Sequence, residues 1–156
     1  KFTLIDAGID FNLPIPPLLA SGRDIDVIIV CDAATGVKDA PELKKAAEWA
    51  SQYGKPLPES IDYQQAGSHV CSIFESKDPY TPTIIYLPQI QNTTYDPDFN
   101  PEEHMDWDGF LHTFNFTYTK EQAQLIAGLM EHAVCEYADD ITRAITRKAE
   151  QINTAK

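Results

Sequence analysis

Basic residues are scarce in this 156-residue chain: 12 Lys and Arg stand against 24 Asp and Glu, a formal net charge of −12. A surface that acidic repels phosphate backbones, which argues against nucleic acid as a partner, and it disfavours anionic membranes for the same reason. No apolar run approaches the ~18 residues that cross a bilayer, so contact with lipid would be interfacial and driven by apolar surface. Cysteine is sparse too: Cys31, Cys71 and Cys135 form no C-x-x-C. Neither a zinc site nor a thioredoxin-type motif is supported, and buried free thiols in a reducing compartment are the simpler reading. Two glycosylation sequons, Asn92-Thr93-Thr94 and Asn115-Phe116-Thr117, leave secretion open without arguing for it, because such short patterns arise by chance. No internal repeat, Gly-rich phosphate loop or basic patch is present. The chain opens on Lys1 rather than Met and leads straight into what reads as a core strand. The expectation is a processed product or the later half of a larger domain, with any signal peptide removed upstream.

What is present is ordinary globular material: a hydrophobic share of 43% and enough length for one domain with its own core. The stretch Thr3-Leu4-Ile5-Asp6-Ala7-Gly8 delivers an aspartate from a short apolar run into a small-residue turn. Such a run reads as a buried strand, and Gly8 can take φ > 0 where the chain turns sharply. Asp6 then sits at the carboxyl end of a strand, where open α/β sheets place their ligand crevices. The plainer alternative is a turn aspartate that satisfies neighbouring backbone amides. Leu13 to Leu19 carries three prolines and reads as an extended apolar segment. Val27-Ile28-Ile29-Val30-Cys31 reads as a strand buried on both faces, the pattern of a parallel sheet, and it too ends on a carboxylate, Asp32.

Asp39 and Glu42 have the spacing of a capping box at the start of a helix that Gly54-Lys55-Pro56 ends. Strand and helix in this order predict an α/β layer architecture. Pro56 to Gly67 reads as loop, Val70 to Glu75 as a strand, and Pro82 to Pro88 as a stronger one. Asn92 to Gly109 is dense in Pro, Asp and Asn and reads as an exposed loop. Asp96-Pro97-Asp98-Phe99-Asn100 resembles the start of a calcium loop. Pro101 stands where the EF-hand needs Gly, however, and Trp107 where it needs the bidentate Glu. His104, Asp106, Asp108 and His112 match no established ligand spacing, so no metal or cofactor is assigned. Phe114 and Phe116 alternate as on one face of an extended segment, with core packing the plainer role. Thr119, with Gln122 at the capping-box position, starts one long helix whose stripe runs from Ala123 to Ile145. The last residues, from Asn153, are expected to fray.

Several of these stretches together resemble the later half of the catalytic domain of the cytosolic phospholipase A2 and lysophospholipase family, related to the patatins. They are Asp6 to Pro14, Asp24 to Ile29 ending on Asp32, Ala46-Ala47-Glu48-Trp49-Ala50, Ile85 to Pro88, and Thr113 to Tyr118 with its helix. The resemblance implies a patatin-like α/β layered domain with a central mixed or mainly parallel sheet and flanking helices. Residues 1–156 would form the C-terminal part of one such domain. In that family a serine in G-x-S-x-G pairs with an aspartate in D-[GAS]-G. Asp6-Ala7-Gly8 matches the second motif, and the implied chemistry is ester hydrolysis through an acyl-enzyme, with Asp6 as base and no cofactor. Thr113, Phe114 and Phe116 are implied near the acyl-chain entrance. Asp32 matches no catalytic position. No G-x-S-x-G occurs in the chain, so the serine is expected in an N-terminal part that supplies the nucleophile elbow. The implied partners are that part and a phospholipid or lysophospholipid at a membrane or micelle interface, with a cytoplasmic, peripheral location. Two other readings stand beside this one: an inactive lipid-binding or interaction protein of the same fold, and a metal-dependent hydrolase built on the acidic loop.

Overall fold

Six consecutive buried residues, Thr83–Pro88, make the central strand, β3. Prolines at 82 and 88 bracket it, and β-branched residues favour the pleated surface. The computed structural model describes residues 6–155; the run Leu4-Ile5, read as a strand, lies outside the described residues. Around β3 the order is β1-β3-β2, with β1 Val27–Asp32 parallel to it and β2 Ser72–Phe74 antiparallel. The result is a mixed α/β architecture with helices on both faces of a three-stranded mixed sheet, in accord with the layered fold expected.

One face of the sheet carries Ile28, Val30, Ile84, Tyr86 and Phe74, and the connection from β1 to β3 packs onto it. This connection holds α2 (Pro41–Gln52), with Leu43, Ala46 and Ala50 buried, and α3 (Tyr63–Ser68). The short helix α1 (Ile15–Leu18) joins them through Ile15 and Leu19. The other face, around Ile85, is covered by α5 (Ala138–Ala155) through Ile141 and Ala144. α4 (Lys120–Glu136) precedes it, with Leu129 and Ala133 buried.

Several local expectations change. The proline-rich segment makes one helical turn rather than an extended run, because prolines in a first turn forfeit no helical hydrogen bond. β1 is buried on one face only: Ile29 is 52% exposed and Cys31 is exposed, since α5 does not reach over them. Asp39 does not cap α2. The cap is Ala40, and both residues adopt left-handed backbone, with φ of 61° and 42°, at a cost of order 1–3 kcal/mol each. Gly67 of α3 lies so close to this turn that a Cβ there would stand 2.4 Å from the Asp39 amide nitrogen. α3 falls inside the stretch read as loop, with Asp62 accepting from the Gln65 amide at 3.0 Å. The single long helix is two, parted at Tyr137, and the second stays helical to Ala155 instead of fraying.

Candidate functional site

Asp6 leads directly into a 3-10 turn, Ala7–Ile9, and its Oδ1 accepts the Gly8 amide at 2.9 Å. Gly8 is not among the residues of positive φ. Its use is space: a Cβ there would stand 3.1 Å from Asn12 Oδ1 and 3.2 Å from Asp6 Oδ1. Asp6 is exposed. The segment that follows is fastened to the start of α2. The Asn12 amide donates to Glu42 Oε2 at 3.2 Å, Lys45 Nζ donates to the Asp10 carbonyl, and Lys45 stands 4.8 Å from the Phe11 ring centroid. Because α2 begins just beyond the loop that leaves β1, these ties set the Asp6 turn on the carboxyl-end side of the sheet.

At that same end Asp32, 1% exposed, is a structural residue. Its Oδ2 accepts from the Tyr86 hydroxyl at 2.5 Å and its Oδ1 from the Ala34 amide at 2.9 Å. Burial, then the hydrogen bond to Asp32, pushes the Tyr86 phenol far above its ordinary range. Gln89, just past β3, is 3% exposed, and its Nε2 has no partner among the described residues. Sequence reasoning passed over it because no motif marks a lone glutamine.

The aromatic segment meets this end through Thr113, whose Oγ1 lies 3.3 Å from Thr35 Oγ1 in the loop after β1. Phe114 and Phe116 belong to no strand and fill no core: they are 68% and 84% exposed. The segment is shaped instead by Asx turns, with the Thr117 amide donating to Asn115 Oδ1 and the Asn115 amide group donating to the Phe110 carbonyl at 2.6 Å. An open cleft of about 490 Å³ lies against it, lined by Trp107, Asp108, Phe110, His112, Phe114 and Gln122 among others. A larger concavity, about 650 Å³, opens at the opposite, amino ends of β1 and β3, by Asp26 and Pro82.

The acidic loop is more tightly packed than its composition implies. Asn92, Phe99 and Met105 are buried, at 3%, 4% and 9% exposure. Asn92 donates to Glu136 and accepts from Thr94, so α4 holds the loop down. Among the described residues no three His, Cys, Asp or Glu side chains converge as a metal set. No helix among them is long and apolar enough to cross a membrane.

No protein-family model matches the sequence. Three solved structures of human GIVD cytosolic phospholipase A2 share the fold. One matches at TM-score 0.77 with 20% identity, over 94% of this chain and 21% of that one. Another, in complex with methyl gamma-linolenyl fluorophosphonate, matches at 0.75 with 18% identity over 97% and 24%. A third, with the same inhibitor and terbium chloride, matches at 0.75 with 18% identity over 95% and 24%. Nearly the whole of this chain thus has the fold of one piece of human GIVD cytosolic phospholipase A2, a piece spanning a fifth to a quarter of that protein.

Proposed function

We propose that this chain supplies the base-bearing part of a hydrolase that cleaves fatty-acyl esters of phospholipids or lysophospholipids. The observation that carries the reading is the Asp6-Ala7-Gly8 turn, fastened on the carboxyl-end side of an α/β sheet whose fold is that of a phospholipase A2. In this reading Asp6 removes a proton from a serine on a segment outside these 156 residues. The serine oxygen attacks the ester carbonyl, the leaving alcohol takes the proton, and water releases the acid from the acyl-enzyme.

Gly8 holds Oδ1 through its amide, and in this scheme Oδ2 is the oxygen that takes the serine proton. Asp6 is exposed in this chain, and a general base works best when withdrawn from water. The serine-bearing segment therefore has a second role in this scheme: it covers Asp6 and excludes water, which favours proton uptake. Thr113, Phe114 and Phe116 stand at the substrate entrance, where exposed rings meet an acyl chain or the lipid surface that delivers it. The test is covalent. A fluorophosphonate probe should label one serine of the protein, and Asp6→Asn should slow that labelling by about 10²-fold or more. Labelling at an unchanged rate would remove Asp6 from the reaction.

The absence of G-x-S-x-G from the chain favours one competing reading, a lipid-binding protein of this fold without chemistry. It predicts no labelled serine at all, in wild type or variant.

A further inference from the structure

Between Met105 and Thr117 four rings surround the open cleft. Trp107 meets His112 edge-on, with centroids 4.5 Å apart at 71°, and Phe114 follows at 5.7 Å from His112. Phe110 forms the wall, itself held 4.7 Å from His104. The frame is prearranged by backbone bonds: Gly109 to the Asp106 carbonyl at 2.8 Å, Leu111 to His104 at 2.8 Å and Asn115 to His112 at 2.8 Å. Gly109 fits only because it lacks a side chain, since a Cβ would stand 2.0 Å from the His104 carbonyl oxygen. The Phe114 amide donates to His112 Nδ1 at 3.2 Å, which places the ring proton of neutral His112 on Nε2.

We propose that this cleft binds a quaternary ammonium group, the chemistry of a choline headgroup. Aromatic faces attract cations through their quadrupoles, and rings grouped around a space suit a methylated cation that sheds its water easily. The local charge selects the same ligand. No Lys or Arg is among the residues that line the cleft, while Asp106 and Asp108 flank Trp107. A primary ammonium would give up more hydration than rings restore. Trp107, 81% exposed, contributes little to the core, so its presentation to solvent is available for a ligand. Naming the headgroup deepens the phospholipid reading and rests on it for biological context, but binding of the cation can be measured without any hydrolysis.

Calorimetric titration of the purified protein with choline, with its uncharged isostere 3,3-dimethyl-1-butanol and with ethanolamine tests the cleft directly. Choline should bind at least about tenfold tighter than either, and Trp107→Leu should weaken choline by about tenfold. Phe114→Leu, at a second exposed wall position, should weaken it severalfold, with folding of both variants checked by thermal unfolding. Equal binding of choline and the isostere would overturn the proposal, as would undiminished binding in both folded variants. Sedimentation with phosphatidylcholine and phosphatidylglycerol vesicles then distinguishes the source. A Trp107-dependent preference for phosphatidylcholine marks a lipid headgroup, and choline binding without it marks a free choline compound. Loss of serine labelling in Asp6→Asn with intact choline binding would separate the two sites.

Discussion

Phe116 provides a direct decision between a packing role and a surface role for the aromatic segment. Full burial of a phenylalanine side chain is worth about 1.5–3 kcal/mol. Phe116 is 84% exposed, so about a sixth of that remains, and Phe116→Ala should destabilise the fold by only about 0.2–0.5 kcal/mol. Leu129→Ala, at 2% exposure in α4, is the contrasting substitution and should cost about 2–5 kcal/mol. Chemical denaturation of the two variants beside wild type gives both values. A ring at the substrate entrance predicts, in addition, a severalfold change in acyl chain-length preference, because a methylene in an apolar site is worth about tenfold or more in discrimination. A loss of roughly 3–5 kcal/mol for Phe116→Ala with unchanged preference would refute the reasoning and return the ring to a core.

Three further outcomes follow from the packing. Gly109→Ala should cost more than 1 kcal/mol in denaturant unfolding and abolish the cleft, since the atoms it strikes are backbone. Lys148, 3% exposed, donates to the Pro79 and Thr81 carbonyls at 2.7 and 2.6 Å. Lys148→Met should cost about 2–5 kcal/mol in the same assay, because both acceptors lose their donor. Burial and then Asp140 push the Cys71 thiol up to about 11, so at pH 8 it should react with a disulfide reagent far more slowly than exposed Cys31 and Cys135. Between the ordinary value of about 9 and 11 the folded state keeps a proton that the unfolded state has lost. Any contribution of Cys71 to stability therefore falls as pH rises through that window.

Signals that act over three or four residues were legible in the sequence. Thr119 and Gln122 form the reciprocal capping box that their spacing announces, and the proline-bracketed β3 was plain. The same rule failed at Asp39. There the turn is set by close packing against Gly67, 28 residues away, and the chain enters α2 through left-handed backbone instead. α3 lies inside the stretch read as loop, and its Asp62 cap, which accepts the Gln65 amide, went unread. The break at Tyr137 was hidden because the apolar stripe continues across it into α5. Burial of Asn92, Phe99 and Met105 in an acidic segment was invisible for a related reason: composition reports average polarity, not which few side chains face inward. For the site, the D-A-G turn could be found by motif. Its neighbours could not, because Thr35 and Thr113 are 78 residues apart and meet only in the fold.

Phospholipid and lysophospholipid hydrolysis by the Asp6→Asn protein tests the functional account at its centre. Asparagine keeps the shape and can still accept the Gly8 amide bond, but it cannot take up the serine proton. Fatty-acid release should fall by about 10²–10⁴-fold with the unfolding transition unmoved. Asp10→Asn, an exposed carboxylate in the same turn region, should retain activity. Near-native turnover by Asp6→Asn would contradict the account and leave Asp6 as a turn residue.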